Sequence, residues 1–299
     1  MIGVALAGGL GNQMFEYAFA YSNAKRNQTT FFLMKDGTPI ELYKYFRLER
    51  NVFYCIDKVF FNTSSFKLIF SHYLRKSFYS VIKALTTRET IHIGNEMVPD
   101  EALFSNDKTL YAGYFQSPVY FEQHAADIRR LFEIKENFIA DYKKKYKWLQ
   151  GKTTVAIHIR KTDYGDLAHL NLGKKDLSLP ISYFKKIVDD IYDERHQYVF
   201  VSDDIAQVEP HFKHLKNAFF SNDSAINDFL HLYFANEVII ANSTFSWWAA
   251  YLNKNNDKRV YCPKYFLGYA IKEEYPRSIY PADWIQVNVE DEESVINND

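Results

Sequence analysis

Short apolar runs separated by helical stretches dominate the second half of the chain. The runs occupy residues 154–159, 198–201, 238–241 and 259–262. Regular alternation of strand and helix produces a parallel sheet with right-handed crossovers and helices on both faces. The pattern therefore predicts a Rossmann-like lobe that begins near residue 151.

The first half of the chain has a related pattern with more helix. Its apolar periodicity predicts aromatic-rich helical segments up to about residue 87, together with strands at 2–7, 30–34 and 109–113 and helices at about 12–27, 118–132 and 135–149. We therefore predict an α/β protein with two Rossmann-like lobes facing a cleft, which is a natural ligand site. The predicted lobes are residues 1–150 and 151–289, with a boundary near 148–154 and a polar tail at 290–299.

The charge balance argues against polyanionic partners. The 299 residues include 36 basic and 37 acidic side chains, giving a net charge of -1. No field of one sign would gather nucleic acid or an anionic membrane. The basic run at 143–145 is interpreted as a solvated helix face, and the high aromatic content mainly as core.

Cysteine usage and the absence of targeting signals indicate a cytoplasmic protein. Cys55 and Cys262 lack the spacing of a zinc or redox motif, which predicts two buried thiols in a reducing compartment. The first strand begins at once, without a basic flank or cleavage site, and no segment approaches the roughly 18 apolar residues that span a bilayer. We expect a soluble protein that is not exported.

The strand at 154–159 ends in a charged cluster. His158 and Arg160 are two residues apart in an extended strand and point to the same side. In open parallel sheets ligands bind beyond the carboxyl ends of strands, where an arginine can clamp a phosphate. A structural ion pair between Arg160 and Asp163 is the alternative, and we favour the ligand site.

Two further strands end in polar residues. Ser202, Asp203 and Asp204 follow the second run, where one carboxylate is expected to cap the next helix and the other to bind a donor-rich edge such as guanine rather than a metal. After the third run, the start of a helix suits a phosphate through its backbone N–H groups. The residues there are Asn242, Ser243, Thr244, Phe245 and Ser246. Capping of that helix by Asn242 or Ser243 is the alternative.

A glycine-rich turn closes the first strand. It runs from Gly8 to Phe15, and its glycines match neither a dinucleotide fingerprint nor a P-loop. Gly11 allows close backbone approach, which would let Asn12 or Gln13 reach a bound sugar or phosphate. A plain tight turn explains the same spacing equally well.

Together these motifs resemble glycosyltransferase family 11, the α-1,2-fucosyltransferases. The resemblance is carried in order by Gly8-Gly-Leu-Gly-Asn-Gln-Met-Phe15, Gly113-Tyr-Phe-Gln-Ser117, His158-x-Arg-x-x-Asp-Tyr164, Ser202-Asp-Asp204 and Asn242-Ser-Thr-Phe-Ser-Trp-Trp248. It implies a GT-B fold and inverting transfer of fucose from GDP-fucose to O2 of a terminal galactose. It implies no metal or other cofactor. The acceptor would be an oligosaccharide or a lipid-linked glycan.

The same resemblance implies roles for individual residues. Arg160 would hold the β-phosphate with His158 beside it, and Asp203 or Asp204 would contact guanine. Residues 243–246 would close around the diphosphate and ribose, and Asn12 would approach the fucose. Asp163 is the first candidate for a general base and His158 the second, and the loop at 165–175 would shape acceptor choice.

Three other functions were considered. A fucosyltransferase of another linkage or acceptor shares the arginine and Ser-Asp motifs. A non-catalytic carbohydrate-binding protein is suggested by Trp247 and Trp248, which we predict to be core residues because they lie within an amphipathic helix. A phosphatase or hydrolase with His158 as nucleophile would need a second histidine or a metal beside it. The sequence leaves the oligomeric state open.

Overall fold

The chain forms two compact units. The computed structural model describes residues 1–34, 41–48, 69–100, 104, 107–162 and 164–290, and it leaves the side chains of 69–75 undescribed. The units are Met1–Lys135 and Glu136–Asp299. Each contains one parallel sheet with helices.

The first unit is built on a sheet of four parallel strands. The strands are β1 (Ile2–Ala5), β2 (Phe31–Met34), β3 (Glu89–Ile93) and β4 (Thr109–Gly113), and the helices are α1 (Leu10–Arg26), α2 (Leu42–Tyr45), α3 (Ile69–Thr86) and α4 (Ala125–Leu131). The strand order is β2-β1-β4-β3. This order places the end of β1, where the glycine-rich turn begins, beside the end of β4.

Close packing at the middle of β1 holds this sheet together. A Cβ atom on Gly3 would lie 2.5 Å from the Phe32 ring, so the neighbouring side chain fills the space that a larger residue would need. Helix α1 is buried along most of its length. Its Phe19 stacks on Phe115 with ring centroids 3.9 Å apart. Many aromatic residues of this unit are therefore core, as the composition suggested.

The second unit is built on six parallel strands. In chain order its elements are α5 (Glu136–Lys145), β5 (Thr154–Ile159), α6 (Ile181–Asp190), β6 (Gln197–Ser202), α7 (Ile205–Phe212), β7 (Ala218–Phe220), α8 (Ala225–Phe234), β8 (Glu237–Ile239), α9 (Thr244–Leu252), β9 (Arg259–Pro263) and β10 (Ile285–Val287). The strand order is β10-β9-β8-β5-β6-β7. Strands β8, β5 and β6 are therefore neighbours at the centre.

Alternation along β5 divides its side chains between two faces. Val155, Ile157 and Ile159 belong to an apolar core with α6 and α7. On the other face the His158 ring lies 5.6 Å from the Phe245 ring of α9. Trp247 and Trp248 are fully buried, which confirms that they are core residues.

The observed elements differ from the predicted ones in several places. Strands β3, β7 and β10 were not predicted, because short runs with polar or aromatic residues give little periodic signal. The predicted helix at 118–132 begins with two 3₁₀ turns, Pro118–Tyr120 and Glu122–His124, before α4. Helix α5 was assigned to the first lobe, but its Tyr142 ring packs 5.2 Å from His231 on α8. The division between units therefore falls earlier than the predicted boundary.

Three predictions based on composition concern membrane spans, the two cysteines and the polar tail. None of the helices described is long and apolar enough to cross a membrane. Cys262 is buried and unbridged, as predicted, whereas Cys55 lies outside the described residues. Residues 291–299 of the predicted tail also lie outside them.

Candidate functional site

Three of the predicted motifs meet at one edge of the second sheet. Strand β5 pairs with β6 on one side and with β8 on the other, and all three run parallel. Their carboxyl ends therefore lie side by side, carrying Arg160, Asp203 and Asn242 beyond the last paired residues. This is the edge at which open parallel sheets bind ligands.

Asp203 organises the segment that follows β5. Its carboxylate accepts hydrogen bonds from the Lys161 amide at 2.8 Å and from the Thr162 amide at 3.0 Å. It also accepts one from the Thr162 hydroxyl at 2.5 Å, and it lies 3.3 Å from Nε of Arg160. Asp203 therefore makes an ion pair with Arg160. Asp163, the alternative ion-pair partner of Arg160 and the first candidate for a general base, lies outside the described residues.

These contacts stabilise the charge of Asp203. Burial alone would raise the pKa of this carboxyl. The Thr162 hydroxyl, the two backbone amides and the Arg160 guanidinium outweigh burial and lower the pKa below its ordinary value. Asp203 is therefore ionised at neutral pH and fixes the side of the guanidinium that faces it.

Asp204 caps a helix, whereas Asp203 binds the segment that follows β5. It is the N-cap of α7, and its carboxylate accepts hydrogen bonds from the Gln207 amide at 3.3 Å and from the Gln207 side chain at 2.5 Å. Ser202 supports the same turn, because its hydroxyl accepts a hydrogen bond from the Asp204 amide at 3.1 Å. One carboxylate of the pair thus caps the helix, as expected. The guanine contact expected for the other stays a prediction.

His158 is a neutral, buried group beside Arg160. Its side chain is 3 % exposed, and Nδ1 has no hydrogen-bond partner among the residues that the structure describes. Burial, followed by the nearby Arg160 charge, lowers the pKa of His158 to about 3. A histidine with this pKa is a weak base at neutral pH, which weakens its candidacy as the group that deprotonates an acceptor.

Helix α9 begins without a side-chain cap. Ser243 occupies the N-cap position, and its side chain makes no cap hydrogen bond. The buried Ser246 hydroxyl donates to the Ser243 carbonyl at 3.1 Å. Thr244 and Phe245 are only partly buried. The alternative for this segment, in which the Asn242 or Ser243 side chain caps the helix, is therefore not formed, and the positive end of the helix dipole lies at this turn.

A ring of hydrogen bonds ties the start of α9 to the loop that follows Arg160. The Tyr164 hydroxyl donates to the Asn242 carbonyl at 2.8 Å, and the buried Asn242 amide group donates to the Leu177 carbonyl at 2.8 Å. The Leu177 amide completes the ring by donating to the Tyr164 carbonyl at 3.0 Å. The loop 165–176 is thus closed at its base against α9. Burial raises the pKa of Tyr164 to about 12, so its hydroxyl stays protonated.

Sequence reasoning missed this ring. Tyr164 stood in a recognised motif without an assigned role, and Leu177 carried no signal because it contributes only its backbone. Asn242 was predicted to bind the donor, and the structure uses its amide group to hold the loop. Only the tertiary contact reveals that these three residues act together.

In the first unit the glycine-rich turn follows β1. Gly8 adopts a φ of +68°, and a Cβ atom there would lie 2.3 Å from the Asn12 side chain. Gln13 is buried and donates to the Gly8 carbonyl at 3.2 Å while accepting from the Glu41 amide at 3.0 Å. Gln13 is thus committed to shaping the turn. Gly11 is buried in the first turn of α1.

Asn12 belongs to a short chain of hydrogen-bonded side-chain amides that lies beyond the ends of β1 and β4. The side-chain oxygen of Asn12 accepts a hydrogen bond from the Gln116 amide group at 2.9 Å, and the side-chain oxygen of Gln116 accepts one from the Asn95 amide group at 3.2 Å. Gln116 lies within the Gly113–Ser117 motif that follows β4. The two motifs of the first unit are therefore joined by a direct contact.

The residues described include no group of three or more histidine, cysteine or carboxylate side chains placed to hold a metal ion. The described polar groups at the carboxyl edge of the second sheet include the Arg160 guanidinium, the Asp203 carboxylate bound to it, the neutral His158 ring and the start of α9. This set is suited to binding an anion.

Two curated relatives match most of this chain in sequence. The O-antigen biosynthesis glycosyltransferase WbnK of Escherichia coli is 30% identical over 292 residues, covering 88% of this chain and 94% of the relative. The Alpha-1,2-colitosyltransferase of Escherichia coli is 26% identical over 270 residues, covering 84% and 87%.

A solved structure shares the fold at low sequence identity. A mutant of Arabidopsis thaliana FUT1 in complex with GDP superimposes with a TM-score of 0.50 at 12% identity, covering 87% of this chain and 70% of that one. The likeness confirms the predicted GT-B class, an α/β fold with two parallel sheets. The model described as "Glycosyl transferase family 11" matches residues 1–288. The chain therefore belongs to glycosyltransferase family 11.

Proposed function

We propose that this protein transfers L-fucose from GDP-fucose to O2 of a terminal galactose, with inversion at the anomeric carbon. Membership of family 11 supports glycosyl transfer, and the α-1,2 linkage in the name of one relative supports the position of attack. The observation that carries the nucleotide assignment is the pairing of Arg160, held by Asp203, with the uncapped start of α9 on adjacent strands.

The main task of the protein in this reaction is to stabilise the leaving group, GDP. The acceptor oxygen forms a bond to the anomeric carbon of fucose while the bond between that carbon and the β-phosphate oxygen breaks. GDP departs with the electrons of the broken bond. Negative charge therefore grows on the diphosphate. A fixed guanidinium and a helix N-terminus stabilise that charge without reorganising, which is the main source of catalysis at such sites.

The proposal assigns specific roles to the residues at this edge. Arg160 binds the β-phosphate, and His158 donates or accepts a hydrogen bond beside it as a neutral ring. The backbone at Ser243–Ser246 surrounds the diphosphate and ribose, with Asn242 holding that turn in place. Asp203 orients Arg160 and contacts guanine, whereas Asp204 is used as the cap of α7.

The first unit contributes the sugar contacts in this proposal. Asn12 approaches the fucose or its phosphate, Gly11 allows close approach of the backbone, and Gln13, which was also predicted to reach the donor, shapes the turn that presents Asn12. Asp163 is proposed as the base that takes the proton of the acceptor hydroxyl, because the low pKa of His158 makes it the weaker candidate. The leaving diphosphate is neutralised by protein groups, so we propose activity without a metal ion. The assignment to the cytoplasm stays a prediction that cell fractionation would test.

A second candidate is the transfer of colitose in the same linkage. The observation in its favour is the relative named Alpha-1,2-colitosyltransferase, which spans most of the chain. Competition between the two activated sugars at equal concentration would separate the candidates. A larger kcat/KM for activated colitose than for GDP-fucose would identify colitose as the sugar transferred. The family assignment would stay unchanged.

The test of the main proposal uses the purified chain with GDP-fucose, lactose and a metal chelator. We expect release of GDP and a product heavier by one fucose, with NMR showing attachment to O2 of galactose. Release of GDP without that product would refute lactose as acceptor, and the absence of both release and stabilisation by GDP would refute the transferase assignment.

Arg160→Ala connects the reaction to the site. We expect it to lose GDP binding and activity together, because no other described arginine follows β5, β6 or β8. Arg195→Ala is the matched control, since Arg195 is an exposed arginine that pairs with Asp193 in the turn before β6. Equal losses in both variants would contradict the role of Arg160.

A further inference from the structure

The amino-terminal edge of the second sheet carries a concentrated positive charge. Five exposed lysines lie on the last turn of α5 and in the turn before β5, and we call them, with Trp148 and Phe234, the lysine face: Lys143, Lys144, Lys145, Lys147 and Lys152. The segment 142–153 contains no acidic residue. The near-zero net charge of the chain therefore conceals a strongly basic surface at this edge.

Large apolar rings are interleaved with these lysines. Trp148 is 41 % exposed and Phe234 is 38 % exposed. Lys152 Nζ lies 5.0 Å from the Trp148 ring centre, and Lys143 Nζ lies 5.7 Å from that of Phe234. The ammonium groups thus lie over exposed rings. Lysine and tryptophan side chains of this kind occupy the polar boundary of a membrane, where the ring meets the apolar region and the ammonium group stays among the headgroups.

A cavity of about 480 Å³ opens among the same residues. Tyr142, Tyr146 and Phe234 form aromatic walls, and Lys143 and Lys152 are part of its lining. His231 also lines it, with Nδ1 bonded to the Tyr142 hydroxyl at 2.9 Å. The cavity is large enough for a phosphate-bearing headgroup between two ammonium groups.

Nearby acidic groups reduce this charge only in part. Asp223 accepts from Lys145 at 2.7 Å and from the Tyr146 hydroxyl at 2.5 Å, so it neutralises one of the five lysines. Asp193, in the turn before β6, is paired with Arg195 and not with a lysine of this face. Asp141 and Glu194 are exposed acids at the margin. The other four lysines form no ion pair with an acidic side chain among the residues that the structure describes.

We propose that the lysine face docks the protein on an anionic phospholipid bilayer. Lysines and interfacial aromatics together are the pattern that binds anionic lipid surfaces, and each lysine near such a surface adds to affinity. Nucleic acid is the less suitable occupant, because segment 142–153 has no arginine for bidentate phosphate contacts and Trp148 packs its edge against Phe219. The site at the carboxyl edge of the sheet lies at the opposite ends of the same strands and remains uncovered by this surface.

Vesicle sedimentation with the full chain tests the proposal. Vesicles of phosphatidylcholine alone are compared with vesicles containing an equal amount of phosphatidylglycerol. The variant is Lys144→Gln with Lys147→Gln, which removes two outward charges without touching the pairs at Asp223 or Phe234. Its control is Lys185→Gln with Lys186→Gln on α6, which changes the net charge equally elsewhere in the same unit.

We expect binding to the anionic vesicles only, weakened by salt. The variant on the lysine face should bind about thirtyfold more weakly, from the usual contribution of two lysines at an anionic surface, while the control should match the parent. Trp148→Ala should weaken the binding that persists at high salt. Circular dichroism of each variant checks that the fold is kept.

Three results would overturn the proposal. One is no binding to anionic vesicles at low salt, and another is equal loss in the two double variants. The third is displacement from vesicles by a short DNA duplex that the protein binds as tightly, which would make the face a general polyanion site. Binding is read without any transfer reaction, so the outcome is independent of the proposed donor and acceptor.

Discussion

Replacement of Asp203 by asparagine tests whether this carboxylate positions Arg160. In the structure one oxygen accepts from the Lys161 amide at 2.8 Å, and the other accepts from the Thr162 amide and hydroxyl and lies 3.3 Å from Arg160 Nε. Asparagine has the same shape but only one acceptor oxygen and no charge. At least one backbone amide or the hydroxyl therefore loses its partner, and the ion pair is lost in either orientation of the amide.

The size of the effect follows from these contacts. A hydrogen bond to a charged group contributes about 1.5–3 kcal/mol. The ion pair is partly exposed, with side-chain exposures of 26% and 16%, so we take the lower part of that range. We expect a loss of about 2 kcal/mol in the free energy of unfolding and a tenfold to hundredfold loss of GDP affinity, roughly 1.4–2.8 kcal/mol.

Asp204→Asn is the matched control, because it removes the same charge at the next residue. Asparagine caps helices about as well as aspartate, so α7 should keep its N-cap and the free energy of unfolding should change by less than about 0.5 kcal/mol. GDP affinity should also stay close to that of the parent. Calorimetric titration with GDP and urea unfolding measure the two quantities for each variant.

The choice of ligand separates positioning from base recognition. If Asp203 acts through Arg160, Asp203→Asn weakens GDP and inorganic pyrophosphate to a similar degree. If its main role is a guanine contact, the variant loses the preference for GDP over ADP while pyrophosphate binding is unchanged. Parental affinity for both ligands in Asp203→Asn, or an equal loss in Asp204→Asn, would refute the reasoning.

Three further predictions concern the loop, the second-unit helices and the core. Tyr164→Phe removes the hydroxyl that donates to the buried Asn242 carbonyl, so it should weaken GDP binding by about threefold to tenfold and speed amide exchange in loop 165–176. Tyr269→Phe is the control, because it removes a bond to the Ser178 carbonyl just after the loop but leaves the hydrogen-bonded ring intact, and it should change only stability. Identical amide exchange in the two variants would contradict this. Burial raises the pKa of Asp228 from 3.8 to about 6, so the folded state holds this proton more tightly than the unfolded state and stability falls as pH rises through that window. Asp228→Asn should therefore stabilise the protein by about 1–1.5 kcal/mol more at about pH 8 than at about pH 5. An equal gain at both pH values would show that the carboxyl titrates normally. Trp247→Ala should cost about 3–5 kcal/mol of unfolding free energy, and a protein that unfolds at the parental urea concentration would show that this ring is not core.

Local pattern determined much of the fold. The strands at 154–159 and 109–113 were predicted with the observed limits, because each is a short, mostly apolar run that directly follows polar residues. Helix α1 and strand β2 were also found within a few residues. The ordered motifs then identified the family, since their spacing along the chain depends on a shared order of elements.

The sequence also indicated which strand ends carry polar chemistry, but it could not divide tasks among adjacent residues. Asp203 and Asp204 are the same side chain one position apart, and each was an equal candidate for the cap. The register of β6 against β5 decides between them, because it places Asp203 beside the 160–162 backbone and leaves Asp204 at the start of α7.

Contacts between distant segments were decided only by the tertiary structure. The ring of Tyr164, Leu177 and Asn242 joins three positions whose spacing along the chain has no period, and one of them contributes only backbone atoms. Helix α5 changed units for the same reason, since its apolar face fits α8 and sequence position says nothing about that choice. The sequence determines local conformation and residue chemistry, whereas three-dimensional packing determines which of those groups act on each other.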